Sequence, residues 1–198
     1  MNASDALIKT LVNNGLEVIF ANPGTSEMHL VASIDNNPEI RPVLGLFEGV
    51  VTGAADGYAR MAEKSAANLL HLGPGLGNGF ANIHNAKKAR SPLINIVGDH
   101  ATYHLKHNAP LTSDLDNLAK SASDWVGRSN TTEDICDLAN LAWQQANSLP
   151  GQISTLIIPA DCAWGEFKGN IPKPLQKKEF DPIDEKLISN SIEILKKD

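Results

Sequence analysis

The chain has 198 residues, of which 42% are hydrophobic and 20% charged, with a formal net charge of −6. Chain of this length suits one sizeable domain that buries roughly 70% of its unfolded surface, and the composition argues against disorder or a fibre. The acidic balance, with basic residues clustered only as Lys87-Lys88, Lys177-Lys178 and Lys196-Lys197, argues against a nucleic-acid-binding or anionic-membrane surface.

Apolar residues Ala6, Leu7, Leu11 and Val12 recur at helical spacing, so Ala3 to Asn14 is predicted as an amphipathic helix, with Asn2 or Ser4 as its cap and Gly15 as its stop. The N-terminus carries neither the basic nor the apolar region of a secretory leader, and no apolar run approaches a membrane span, so a cytoplasmic enzyme domain is expected. Glu17 to Ala21 reads as a short buried strand. It breaks at Asn22-Pro-Gly-Thr-Ser-Glu27, which also supplies caps for a helix over 27–36. A second strand, Pro42 to Leu46, is followed by a helix through Met61 rich in small residues. Gly49, Gly53 and Gly57 give that helix poor intrinsic propensity, and close approach of another backbone is the expected compensation.

A third strand, Ala66 to Leu72, runs into His71-Leu-Gly-Pro-Gly75, and a helix is predicted from this glycine-rich turn to Ala89. The spacing refuses a dinucleotide fingerprint, because a Gly-x-Gly-x-x-Gly begun at Gly73 meets Asn78 and one begun at Gly75 meets Phe80. Leu93 to Gly98 is a fourth strand, entering a polar loop with His100, His104 and His107. A short helix over 115–121, a strand at Trp125 to Arg128, a helix capped by Thr131 or Thr132 and running to Ala146, and a last strand at Ile153 to Pro159 complete the series. Strands alternating with helices predict an α/β fold: a three-layer open parallel sheet flanked by helices.

Residues 1–167 are expected to form this domain. Residues 168–182, with Lys168-Gly-Asn-Ile-Pro-Lys-Pro174 and Lys177-Lys-Glu-Phe-Asp-Pro182, have linker texture, and 183–198 read as one amphipathic helix that either docks back or opens a truncated further domain. Cys136 and Cys162 are too few and too far apart for a disulfide framework or a Cys-x-x-Cys site, so both are expected to be reduced core thiols.

One residue sets the chemistry. Glu48 stands among Leu44, Leu46, Phe47, Val50 and Val51, and a carboxyl in apolar company is either paired or kept ready to share a proton with a ligand; a plain helix N-terminal carboxylate is the competing explanation. The apolar strand, Glu48, and Gly49-Val-Val-Thr-Gly53-Ala-Ala-Asp-Gly57-Tyr-Ala-Arg60 together resemble the pyrimidine-binding domain of thiamine-diphosphate enzymes of the acetolactate synthase and benzoylformate decarboxylase group. Asn22-Pro23-Gly24 and Gly73-Pro74-Gly75 fall in the same order, and the likeness covers about residues 2 to 166.

The resemblance implies that Glu48 hydrogen-bonds to N1′ of the cofactor's aminopyrimidine and promotes loss of the thiazolium C2 proton. It implies that Asn22, Pro23, Gly24, Gly73, Pro74, Gly75, Asn78 and Asn82 lie at the cofactor, although capping and packing account for the two asparagines equally well. Thr25 is expected at the substrate carboxylate, a role compatible with capping. His71 falls where benzoylformate decarboxylases carry a histidine and acetolactate synthases carry none, so it is expected to relay protons and contact substrate; the competing reading is a hydrogen-bonded core histidine. His100 or His104 is expected near the substrate.

No metal site is expected within this chain: His100, His104 and His107 lack the intervening Glu of a metalloprotease helix and sit in a loop-like segment. The resemblance places Mg2+ and the diphosphate on a Gly-Asp-Gly motif of another domain, absent from this sequence, and leaves FAD open. It implies a 2-ketoacid substrate, decarboxylation or carboligation, and a homodimer or tetramer with the cofactor shared between subunits, so that this chain alone is inactive. The rival from another class is a non-catalytic flavodoxin-like module that kept the fold and lost the chemistry.

Overall fold

In a computed structural model, residues 1–176 and 182–197 are described. The linker segment predicted over 168–182 therefore lies partly outside the described residues. The strands are β1 (Val18–Asn22), β2 (Arg41–Leu44), β3 (Ala66–His71), β4 (Leu93–Asp99), β5 (Trp125–Arg128) and β6 (Ile153–Pro159). The helices are α1 (Ala3–Asn13), α2 (Met28–Asp35), α3 (Glu48–Ala62), α4 (Leu72–Ala89), α5 (Leu115–Ala122), α6 (Ile135–Ala146), α7 (Ala160–Trp164) and α8 (Glu185–Leu195), with a 3-10 turn at Thr25–Glu27.

All six strands are parallel, in the order β2-β1-β3-β4-β6-β5. Every residue of β4 and β6 is buried, as continuous apolar strands covered on both faces must be. The edge strand β2 is short, largely exposed and carries Pro42, whose missing N–H is harmless at an edge. One face is covered by α1, α2 and α6 around Leu7, Leu11, Ile19, Leu69, Ile96 and Trp143; the other by α3, α4 and α5 around Phe20, Val51, Leu70, Leu76, Val97 and Ile157. Each fully buried Leu or Ile contributes about 2 kcal/mol of transfer free energy to these layers. Both cysteines are free and buried, and burial pushes their thiols above the ordinary value.

A polar row interrupts the second face. At matched register positions on β3, β4 and β6, Asn68 donates to Asn95 (2.8 Å) and Asn95 to Thr155 (3.0 Å), and the Thr155 and Ser123 hydroxyls are 2.7 Å apart. Buried amides need partners, and the row supplies one to each amide nitrogen, while Asn68 Oδ1 is left without one among the described residues.

Two local expectations are corrected. α6 begins at Ile135 rather than at Thr131 or Thr132, because the Asp134 carboxylate accepts from the Ser129 hydroxyl and the Asn130 N–H, and the Thr131 hydroxyl accepts from the Asp134 N–H; residues 131–134 form a capping turn instead. Gly73-Pro74-Gly75 is not a loop before a helix but the first turn of α4 itself, and the chain reverses at Leu72, whose φ of 52° lies in the left-handed region. A glycine before Pro74 suits this, since a side chain there would crowd the proline ring. The close approach expected of α3 is made by α4: a Cβ at Gly53 would sit 3.1 Å from Asn82 Nδ2, and one at Gly79 of α4 would sit 2.7 Å from Thr52 Cγ2.

The segment after α7 stays on the domain as far as Leu175, whose N–H donates to Asn14 Oδ1 (2.9 Å), while Asn140 donates to the Lys173 carbonyl (3.1 Å). No residue of α8 is buried.

Candidate active site

In this strand order the connections run one way from β1 and the other way from β3, so the crevice between their carboxyl ends is the topological switch point where open parallel sheets take ligands. Asn22-Pro23-Gly24 leaves β1 there, His71 ends β3, and Gly98-Asp99 ends β4, with His71 paired to Gly98 in register.

Glu48 is the first residue of α3, close to the positive end of the helix, and its Oε2 accepts from Asn78 Nδ2 at 3.1 Å. Its Oε1 has no partner among the described residues and faces the first turn of α4, where a Cβ at Gly75 would stand 3.6 Å away. Of the apolar company expected around Glu48, Val51 is buried but the rest is turned outward: Leu46 is 90% exposed, Val50 61% and Phe47 51%, and Glu48 itself is half-buried. The expected desolvation is thus not supplied by this chain, because α3 starts at the rim of the sheet beside its edge strand.

The remaining predicted residues divide. Asn78 is brought to Glu48, while Asn82 donates to the Gly49 carbonyl (2.6 Å) and ties α3 to α4. Asn22 donates to the Gly45 carbonyl (2.8 Å), holding the turns after β1 and β2 together. Pro23 faces a small apolar groove with Ile19, Val31 and Leu69. Gly73 lies under Ser113, whose side chain a Cβ would overlap, and Pro74 is exposed. Thr25 is exposed and shares an open cleft of about 230 Å³ with Ser26, His100, Tyr103, His104 and Trp164. The imidazoles of His100 and His104 lie 5.4 Å apart and those of His104 and His107 5.5 Å; His100 Nε2 is buried with no partner. Among the described residues, no group of three His, Cys, Asp or Glu is placed to hold a metal ion.

His71 is not a solitary histidine. Its Nδ1 lies 2.7 Å from Glu27 Oε2, and the same oxygen accepts from the Gly24 N–H at 2.7 Å. The Glu27 side chain is fully buried, and its Oε1 has no partner. Burial pushes the Glu27 carboxyl above its ordinary value, against the opposing pull of the Gly24 N–H and His71. Gly24 is required here because a Cβ would overlap the His71 ring. Glu27 was passed over in the sequence as a capping residue of the Asn22–Glu27 turn; the signal was an acidic side chain closing a Pro-Gly turn beside a strand end.

A second buried carboxylate was also missed. Asp99, 1% exposed, accepts from Arg128 Nη1 (2.7 Å) and from the His100 N–H (2.7 Å), and Arg128 also donates to Asp116. Burial works against the Arg128 charge, but the hydrogen bonds to Asp116 and Asp99 outweigh it and hold the guanidinium above its ordinary value.

Residues 1–119 match the family model described as thiamine pyrophosphate enzyme, N-terminal TPP binding domain. A putative acetolactate synthase large subunit of Mycobacterium tuberculosis is 57% identical over 166 residues, 84% of this chain and 32% of that protein. A benzoylformate decarboxylase of Pseudomonas aeruginosa is 32% identical over 157 residues, 79% of this chain and 29% of the relative. The solved structure of a thiamine diphosphate-dependent 4-hydroxybenzoylformate decarboxylase from Rhodococcus jostii RHA1 superposes with a TM-score of 0.88 at 25% identity, over 98% of this chain and 37% of that one. The chain thus spans about a third of the length of the relatives it matches. With a matching family model over more than half its length, and with its predicted parallel sheet, switch-point turns and helix-leading Glu48 all present, the chain belongs to the thiamine pyrophosphate enzymes, as their N-terminal TPP-binding domain.

Proposed function

We propose that this domain activates thiamine diphosphate for the decarboxylation or carboligation of a 2-ketoacid, with Glu48 as the activating group. The observation that carries this is Glu48 itself: a carboxyl at the first residue of a helix, at the ligand-binding end of the sheet, with one oxygen held by Asn78 and the other free. The donor set fits the cofactor. Glu48 Oε1 can hold a proton to a ring nitrogen, Gly75 leaves that oxygen open, and the exposed Leu46, Phe47 and Val50 offer an apolar surround for an aromatic ring. When bound, thiamine diphosphate supplies the electron sink for cleavage beside a carbonyl.

A second subunit closing over Leu46, Phe47 and Val50 would provide the desolvation that this chain lacks, so the active form is a homodimer or tetramer with the site between subunits. Diphosphate and Mg2+ would be held by a Gly-Asp-Gly motif in another domain, which leaves this chain inactive alone. Thr25 and the cleft with His100 and His104 would receive the substrate carboxylate, and His71 would exchange a proton with the reacting 2-ketoacid. No helix among the described residues is long and apolar enough to cross a membrane.

Carbon dioxide release from the full-length protein, given thiamine diphosphate, Mg2+ and pyruvate, benzoylformate or a longer 2-ketoacid, tests the reading. Glu48→Gln should lower turnover by at least about 100-fold while leaving the fold unchanged by circular dichroism. Wild-type rates in that variant would refute the assignment, and an absence of cofactor binding would favour the non-catalytic module.

A further inference from the structure

We infer that Glu27 is a positioning residue that holds His71 in the Nδ1–H tautomer, so that Nε2 is presented unprotonated to the crevice. The inference deepens the proposed function and rests on it for its catalytic meaning, but the geometry stands within this chain alone. Three strand ends build the pair: Gly24 after β1, His71 closing β3 and Gly98 on β4. The buried carboxyl of Glu27 lies between them, with Oε2 receiving the Gly24 N–H and facing His71 Nδ1, each at 2.7 Å.

The partners decide where the protons sit. A backbone N–H only donates, so Oε2 is already an acceptor, which favours the carboxylate and leaves Nδ1 to supply the second proton. A proton on Oε1 would find no acceptor, since that atom is buried without a partner and a Cβ at Gly98 would overlap it. His71 Nε2 makes no hydrogen bond among the described residues, and 21% of the side chain reaches solvent. Free imidazole prefers the other tautomer; a carboxylate on Nδ1 reverses the preference. Gly24 and Gly98 serve the same end, because a side chain at either would displace the ring or the carboxyl.

The test is nitrogen-15 NMR of the neutral histidine side chains of this chain without cofactor, with His71→Gln to assign the resonance. In the wild type His71 should show a protonated Nδ1 and an unprotonated Nε2. Glu27→Leu, which removes the acceptor, should move the neutral ring to predominantly Nε2–H; Glu27→Gln, whose amide oxygen can replace Oε2, should keep Nδ1–H; and Glu27→Asp, which withdraws the acceptor from Nδ1, should give a mixture. An Nε2–H tautomer in the wild type, or an unchanged tautomer in Glu27→Leu, overturns the inference. If Glu27→Leu does not fold, the wild-type and Glu27→Asp spectra still decide it. The readout needs neither cofactor nor substrate and should be untouched by Glu48→Gln, so failure of the proposed function is separately visible.

Discussion

Replacing Gly98 by alanine adds one methyl group at the point where β4 passes the buried carboxyl of Glu27. The new Cβ would overlap Glu27 Oε1 and stand 2.6 Å from Cδ and 2.9 Å from Cγ, and Gly98 is fully buried between β3 and β6. Glu27 has no easy retreat. Swinging away breaks its bonds to the Gly24 N–H and His71, and charge-assisted bonds of this kind are worth about 1.5–3 kcal/mol each. Shifting the strand instead costs the usual 1–3 kcal/mol, roughly, of an overpacked core. The cheaper route sets the outcome, so a loss of about 1–3 kcal/mol is expected, which for a chain of this size lowers Tm by roughly 2–12 °C. Thermal unfolding followed by circular dichroism measures it. Gly77→Ala is the control, since Gly77 lies exposed in α4 with nothing within 4 Å of a Cβ. A Gly98→Ala melt within about 2 °C of the wild type would refute the close packing of β4 on Glu27.

Three further outcomes follow from the same coordinates. Burial raises the Glu27 carboxyl above its unfolded value, so the folded chain binds that proton more readily; this contribution to stability is full below the ordinary glutamate pKa and is lost as pH rises through the raised one. Urea midpoints of Glu27→Gln should therefore gain on the wild type as pH rises above the ordinary glutamate pKa, and parallel pH profiles would contradict the desolvation argument. Arg128→Ala strips buried Asp99 of its cation and should cost about 3–5 kcal/mol in urea unfolding, partly restored by adding Asp99→Asn; a loss below about 1 kcal/mol would show the pair to be solvated. Gly57→Ala fills open space on the exposed side of α3, with nothing within 4 Å of the new Cβ, and should stabilise this chain by about 0.5–1 kcal/mol in thermal unfolding; a lowered melt would contradict that.

Much of the fold and part of the site were legible in the residues themselves. Apolar runs such as Leu93 to Gly98 and Ile153 to Pro159 can be satisfied only by strands covered on both faces, and their alternation with amphipathic helices leaves few topologies besides a parallel sheet. The Trp125 to Arg128 strand and the α5 helix also lie where they were expected, although β5 is a half-buried edge strand with no such apolar run. Glu48 was conspicuous because a carboxylate among apolar residues has few innocent explanations.

What the residues could not declare was distance. His71 and Glu27 lie 44 positions apart, and Asp99 and Arg128 29, so their pairing follows from which strands are neighbours and where each ends. Glycine spacing likewise could not say that Gly73-Pro74-Gly75 winds into α4 while Leu72 takes the left-handed turn, since that depends on how β3 meets the helix packed against it. The exposure of Glu48 was the largest departure. Hydrophobic neighbours in sequence predict burial only if the same chain supplies the cover, and here β2 lies at the sheet edge and turns Leu44, Leu46 and Phe47 to solvent. Local pattern determined the elements and the chemistry-bearing residues; strand order, through the switch point between β1 and β3, decided which of those residues meet.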